Sequence, residues 1–281
     1  MLDIEPGGIV YVLVDFDRAR PVLGLLSFRG VDSGDRQFRR MIDSTGFATA
    51  ALYQWRSEEG YTGTRFRLVA GGRYPAGWAR LAMRCGRAWR GTRSPYGRFW
   101  SSDEGMISLG ISRREAHVSS FLHREPVDPF YSGGGTEVPA GFTAFSPGAA
   151  VALWLENPGT FLNERLTEMR IPLEIPAEQL FAGLFPVPYV PAGNGAGITG
   201  GPFYELHLRI TVASEMQAAG FATVITMARA FLAPAPEETG AAALVSILFA
   251  NPASADGRNI NLRSAPLSAS EVAALINGFQ P

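Results

Sequence analysis

Few residues in this chain are equipped for chemistry, and their spacing suits few reactions. There is one cysteine, Cys85, and there are three histidines, His117, His123 and His207. A nucleophilic cysteine needs a positive neighbourhood to form thiolate. Arg84 and Arg87 supply one only if they point the same way as Cys85. The simpler reading is a small apolar residue in a core. A lone cysteine excludes an internal disulfide and a cysteine-based zinc site, and a bridge to another chain needs an oxidising compartment. His117 and His123 stand six apart, which suits neither ligation across one helical turn nor an HExxH helix. A three-histidine zinc site would require all of them to converge, whereas His207 falls on the polar face of an expected strand.

All 25 basic residues are arginine. A GC-rich coding sequence is the simplest cause. Without lysine, a P-loop, a Schiff base and a Ser–Lys hydrolase are all excluded. Gly195-Ala196-Gly197-Ile198-Thr199-Gly200 matches GxGxxG. A dinucleotide site needs a strand before that motif and a helix after it. Here Pro186, Pro188 and Pro191 precede it and Gly201-Pro202 leads into a strand, so it reads as a loop, either an exposed tip or a subunit contact. A Ser-His-Asp triad draws on distant positions, but no GxSxG elbow marks a serine. Glu58-Glu59 and Asp103-Glu104 are adjacent carboxylates in turn-like contexts; neighbours in a strand point apart, which is wrong for glycoside hydrolysis. Asp15-Phe16-Asp17 and Asp32-Ser33-Gly34-Asp35 are fragments without the rest of a calcium loop. The expectation is a chain without cofactor, metal or catalytic residues, leaning away from an enzyme.

Charge is spread unevenly. Residues 1–100 hold sixteen arginines against nine acids, and residues 101–281 hold nine against seventeen. No acid occurs between Tyr61 and Ser102, where Arg80, Arg84, Arg87, Arg90, Arg93 and Arg98 are interleaved with Trp78, Trp89 and Trp100. These residues are the candidate polyanion or interface site. Guanidinium groups meet phosphates, and rings stack on bases. The competing reading pairs these arginines with the acidic second half, within the chain or across a subunit interface, where Arg, Trp and Tyr are also favoured.

The elements that must position these residues are mostly strands. Ile9–Phe16, Val22–Phe28, Phe47–Trp55, Tyr61–Val69 and Met106–Ser112 read as strands in the first half. Gly30–Ser44 reads as a loop or short helix. Trp78–Arg90 has helical spacing, weakened by Gly86. In the second half, Gly141–Glu156, Thr167–Ile175, Gly220–Leu232 and Ala241–Ala250 read as strands and Ala177–Leu184 as a short helix. Phe203–Ala213 alternates most clearly, with Tyr204, Leu206, Leu208, Ile210 and Val212 on one face. Ser268-Ala269-Ser270-Glu271 is a capping-box pattern and, with Gly278, frames a C-terminal helix.

These runs are separated by turns rich in the 32 glycines and 20 prolines. They predict a mainly β protein, a sandwich or jelly-roll-type barrel with long Pro/Gly loops and a few short helices. Asp128–Gly135 is the best internal break, dividing an Arg-rich β region at 1–130, which need not be independent, from a β-barrel or sandwich region at 131–281. No apolar run approaches the roughly 18–20 residues that span a bilayer. The start, Met1-Leu2-Asp3-Ile4-Glu5, lacks the basic residues of a secretory signal. Folding in the cytoplasm of a host is expected.

The strand Phe203–Ala213, the expected strand Gly220–Leu232 and the loop Phe185–Pro202 before them resemble, in broad pattern, the β-barrel coat proteins of tailless icosahedral bacteriophages. That resemblance implies a jelly-roll barrel in a capsid lattice and a final place in the virion. The leading expectation is a non-enzymatic structural protein that self-assembles as a capsid or virion shell protein, with itself or a second structural protein as partner. One alternative is an Arg/aromatic module for nucleic acid or another polyanion. Another is a β-sandwich hydrolase or carbohydrate-binding domain, with Trp55, Trp78 or Trp100 stacking on a sugar ring.

Overall fold

Short runs of alternating apolar and polar residues favour half-buried strands, and in the computed structural model thirteen strands form among the described residues. The structure describes residues 8–26, 36–56, 62–85, 89–94, 97–102, 107–120, 140–159, 163, 167, 176–188, 202–228, 244, 247–248 and 251–278. In chain order the elements are β1 (Gly8–Asp15), α1 (Phe16–Leu23), α2 (Arg36–Ser44), β2 (Thr45–Arg56), β3 (Thr62–Gly72), α3 (Ala76–Cys85), β4 (Trp89–Ser94), β5 (Gly97–Ser102), β6 (Ser108–Ile111), β7 (Glu115–Ser119) and α4 (Ala140–Phe145). They continue with β8 (Val151–Glu156), β9 (Ala177–Val187), β10 (Phe203–Val212), α5 (Glu215–Ala228), β11 (Ser254–Asp256), β12 (Asn259–Arg263), β13 (Leu267–Ser268) and α6 (Ala269–Gly278). The fold is mainly β, with antiparallel pairing and short helices.

The chain divides into two units. Unit 1 is Met1–Asp17 with Arg39–Ala144, and unit 2 is Arg18–Phe38 with Phe145–Pro281. In unit 1 the strand order is β1-β2-β3-β7-β6-β5-β4. Its register lays one apolar ladder across the sheet: Val12, Ala50, Leu68, Val118, Leu109 and Trp100 stand opposite one another in turn. The other face carries Tyr11, which meets the ring of Phe142 from α4 with centroids 6.3 Å apart. That face also carries Arg67, Ser119 and Ser108 in register, all of them buried. Alternation along β3 predicts a wet face for Arg67, but at 3% exposure it sits inside.

In unit 2 the order is β8-β9-β10-β12-β11, with β13 beside the start of β10. The apolar row of β10 faces inward as its alternation predicts. Ile210 and Val212 join Leu180, Ile260 and Leu262 beneath Ala218, Ala222 and Ile225 of α5. Each fully buried aliphatic side chain there contributes about 1.5–3 kcal/mol. The capping box forms as its sequence predicts. Ser268 Oγ accepts from the Glu271 N–H at 3.3 Å, and Glu271 Oε2 accepts from the Ser268 N–H at 2.7 Å. These bonds satisfy orphan donors and fix the first turn of α6.

Several expected elements differ. Of the segment read as the strand Val22–Phe28, Val22 and Leu23 instead end helix α1, whose Ala19 and Val22, three apart, bury one face. Of Gly141–Glu156 only Val151–Glu156 is a strand, and Ala140–Phe145 is helical. Ala177–Leu184 has helix-forming composition but lies in β9 between β8 and β10, where two pairing edges outweigh propensity. Gly220–Leu232 overlaps the helix α5. Its start carried an unread signal: Ser214 Oγ caps the Gln217 N–H at 3.3 Å, and Glu215 opens the first turn. Leu244, Ile247 and Leu248, expected in a strand, are helical. Cys85, expected in a core, is exposed at the end of α3. Residues 168–175, the break at 128–135, the GxGxxG stretch, Glu58-Glu59, Asp103-Glu104 and His123 lie outside the described residues.

Candidate ligand cavity in unit 2

Alternation gives the unit 2 sheet two unlike faces. On the inner one, β8 places Val151 and Leu153, β9 places Ala182 and Leu184, and β10 places Leu206. In register, Leu184 stands between Val151 and Leu206, and Ala182 stands opposite Leu153. Ala182 is the small member of this row. A methyl where its neighbours carry isobutyl groups leaves a gap that the layer above must fill. That layer is α6 with β13, and it supplies Leu267, Val272, Leu275 and Ile276, with Leu244 beside them. They leave a cavity of about 220 Å³ whose wall presents no polar surface. Ile276 is 38% exposed, so the cavity lies at the margin of the core.

The outer face is built of the alternate residues. His207 Nε2 stands 3.0 Å from Glu205 Oε2, and the His207 ring lies 4.6 Å from that of Phe185. The Arg209 guanidinium lies over the Phe145 ring at 5.4 Å and donates from Nε to Asn261 Oδ1 at 3.0 Å. Phe145 reaches this position because Gly183 has no side chain; a Cβ there would come 2.8 Å from its ring. Thr211 donates to Asn259 Oδ1 at 2.8 Å. The polar groups of β10 and β12 satisfy one another here, while on the β8 and β9 part of the same face Ala152, Trp154 and Phe181 are buried. Tyr204 is buried at the end of the inner row and donates to the Arg18 carbonyl at 2.8 Å; burial raises its pKa above the ordinary phenol value.

The residues expected to form an Arg/aromatic site lie in unit 1. Trp100 is 1% exposed, which takes its ring away from any base or sugar. Trp89 is half-buried at the start of β4. Arg80 and Arg84 are exposed on α3, and Arg80 donates to the Ile111 carbonyl at 2.9 Å. Arg90 is exposed on β4. Arg93 and Arg98 face each other in register across β4 and β5. Arg87 and the side chains of Trp78, Arg93 and Arg98 lie outside what the structure describes. His117 stands 3.5 Å from Glu115, and no metal-holding group of His, Cys, Asp or Glu forms among the described residues.

The chain resembles solved structures of a protein designated TP0453. Crystal form III matches with a TM-score of 0.59 at 16% identity, covering 98% of this chain and 96% of that one. Crystal form IV matches with 0.59 at 17%, covering 96% and 93%, and crystal form I with 0.56 at 16%, covering 99% and 96%. No protein-family model matches, and no curated protein sequence matches. At this identity the likeness shows the fold alone.

It overturns the resemblance to phage coat proteins. The structural neighbours are forms of TP0453, and nothing points to a capsid, a virion or a bacteriophage. The jelly roll fails on geometry as well. It needs long Greek-key returns between two sheets, whereas in each unit most strands pair with their neighbours in sequence. One of the two strands that suggested it, Gly220–Leu232, is largely helix α5. Among the described residues no helix is long and apolar enough to cross a membrane.

Proposed function

We propose that unit 2 is a binding module for a molecule with a hydrocarbon segment, held between the inner sheet face and α6. The observation that carries this reading is the wholly apolar wall of the 220 Å³ cavity. Protein interiors are close-packed, so a gap of this size invites an occupant. An apolar cavity of roughly 150 Å³ takes up benzene, and drug-sized sites begin near about 300 Å³. The volume here suits a chain of several carbons. Its driving force is burial, at about 0.8 kcal/mol per methylene.

A series of straight-chain alkanols tests this, because their binding involves no charge. Calorimetry should show affinity rising about fourfold per added methylene, then levelling once the cavity is full. Ala182→Phe places a ring in the gap and should abolish the chain-length dependence while the far-UV circular dichroism stays unchanged. Absence of any length dependence in the wild type would remove the reading.

Self-association is a second reading, and one observation favours it. The outer face of α5 presents Met216 (86% exposed), Val224 and Met227, with Gly220 between them opening onto free space. Apolar stripes of this kind often mark interfaces, and glycine permits close approach of a second copy. Light scattering after size exclusion should give a mass above 30.3 kDa, falling to the monomer value in Met216→Glu. A monomer at all concentrations rejects self-association and leaves the cavity reading untouched.

A further inference from the structure

Three arginines far apart in sequence line one concavity of unit 1. It is an open hollow of about 720 Å³, and the exposed Arg40, Arg73 and Arg113 line it with Ser44, Tyr74, Pro75, Ala76 and Gly77. Main-chain bonds hold the three together. The Arg73 N–H donates to the Ser44 carbonyl at 2.7 Å, one turn beyond Arg40 on α2. The next residue, Tyr74, donates its N–H to the Arg113 carbonyl at 3.0 Å, and Gly72 donates to that of Arg114 at 2.8 Å. The end of β3 is thus tied to the end of α2 on one side and to the turn between β6 and β7 on the other.

The charge is unbalanced. No Asp or Glu is among the residues lining the concavity. Three like charges around one space repel one another unless an anion enters. Tyr74 does not oppose such an anion. Its hydroxyl is turned toward Thr45 Oγ1 at 3.1 Å, Thr45 in turn donates to the Met41 carbonyl, and burial raises the phenol pKa above its ordinary value despite the opposing effect of the Thr45 bond. The phenol therefore stays neutral.

The floor adds a donor. Pro75 accepts the first helical bond of α3, from the Ala79 N–H at 3.2 Å. It therefore occupies the cap position, where Ser, Thr, Asp or Asn would normally accept from a free N–H. Proline has no such group, and the Gly77 N–H has no partner among the described residues. Open space lies where a Gly77 side chain would be.

From these features we infer that unit 1 binds a phosphate group at this concavity. Guanidinium forks match phosphate oxygens in pairs, and a tetrahedral dianion uses three arginines better than a planar monoanion does. The remaining volume admits the organic part of a phosphorylated small molecule or the headgroup of a phospholipid.

Calorimetry at low salt with inorganic phosphate, pyrophosphate and acetate, alongside flotation with phosphatidic acid or phosphatidylcholine vesicles, tests this. Pyrophosphate should bind more tightly than phosphate, and acetate should bind hardly at all. Arg73→Ala and Arg113→Ala should each weaken binding at least about tenfold. Gly77→Asp keeps all three arginines, fills open space and suits a helix N-terminus, yet should weaken binding comparably by placing a carboxylate in the site. Arg84→Ala, on the same helix but outside the concavity, should change nothing. Vesicle binding without binding of the soluble anions, with the same sensitivity to these variants, assigns the phosphate to a lipid. Equal loss in Arg84→Ala, or binding of neither pyrophosphate nor phosphatidic acid vesicles, overturns the inference.

Discussion

Trp100→Ala should unfold unit 1 at a much lower urea concentration than the wild type tolerates. The indole is 1% exposed and ends the apolar ladder that crosses β1, β2, β3, β7, β6 and β5. Gly91 of β4 lies directly opposite it, leaving the bulk of the ring room on that side. Removing a buried tryptophan costs about 3–5 kcal/mol, part of it from the cavity left behind. Against a typical total of about 5–15 kcal/mol, that is a large share. The midpoint should fall with the slope of the transition unchanged. Arg84→Ala, at an exposed site in the same unit, should move it by no more than about 0.5 kcal/mol. A Trp100→Ala protein as stable as the wild type would mean that the ring packs against nothing and is available to a partner after all.

Ile260→Ala should be the corresponding loss in unit 2. Ile260 is 0% exposed, stands opposite Ile210 in register, and belongs to the cluster that receives Ala218, Ala222 and Ile225 of α5. The expected cost is about 2–5 kcal/mol. Hydrogen exchange locates it, because amides of α5 should lose protection together with those of β10 and β12. Val224→Ala on the outer side of α5, where the side chain is 45% exposed, should be neutral or slightly stabilising, since alanine favours helix. If Ile260→Ala left the protection of α5 unchanged, the helix would not depend on that packing.

These two residues show where the sequence is readable. The strand β10 beside Ile260 has one face buried more deeply than the other, and alternation reports that directly, whereas β12, which carries Ile260, is only five residues long and was not read. The helix α6 was legible for a different reason: its start is encoded locally, in Ser268 and Glu271. Helix α5 was not legible because Ala, Met, Phe, Val and Ile lie all around it, and no period separates its buried from its exposed face. β9 was missed because its composition favours helix, while its pairing partners are supplied by β8 and β10. Trp100 could be seen as a ring beside arginines, but its burial depends on strands that follow it in the chain. Neither cavity is local. The apolar one joins residues from Val151 to Ile276, and the arginine one joins residues from Arg40 to Arg113. Only the register of the sheets brings such positions together. Of the expected site residues, Arg80 lies next to the second cavity in sequence, yet its guanidinium is committed to the Ile111 carbonyl.

The far end of the unit 2 sheet has a bearing on how copies of this protein meet. A free strand edge exposes unused N–H and C=O groups that invite another chain to add a strand. β11, which occupies that end, has only three residues, all exposed, and stops at Asp256 before Gly257 turns the chain at a φ of 55°. A strand this short offers few rungs for an incoming chain, and the acidic group at its tip adds a desolvation cost. The edge is thus blunted against fibre-like growth. Assembly through the side chains of α5 would leave the backbone ladder of β11 unused.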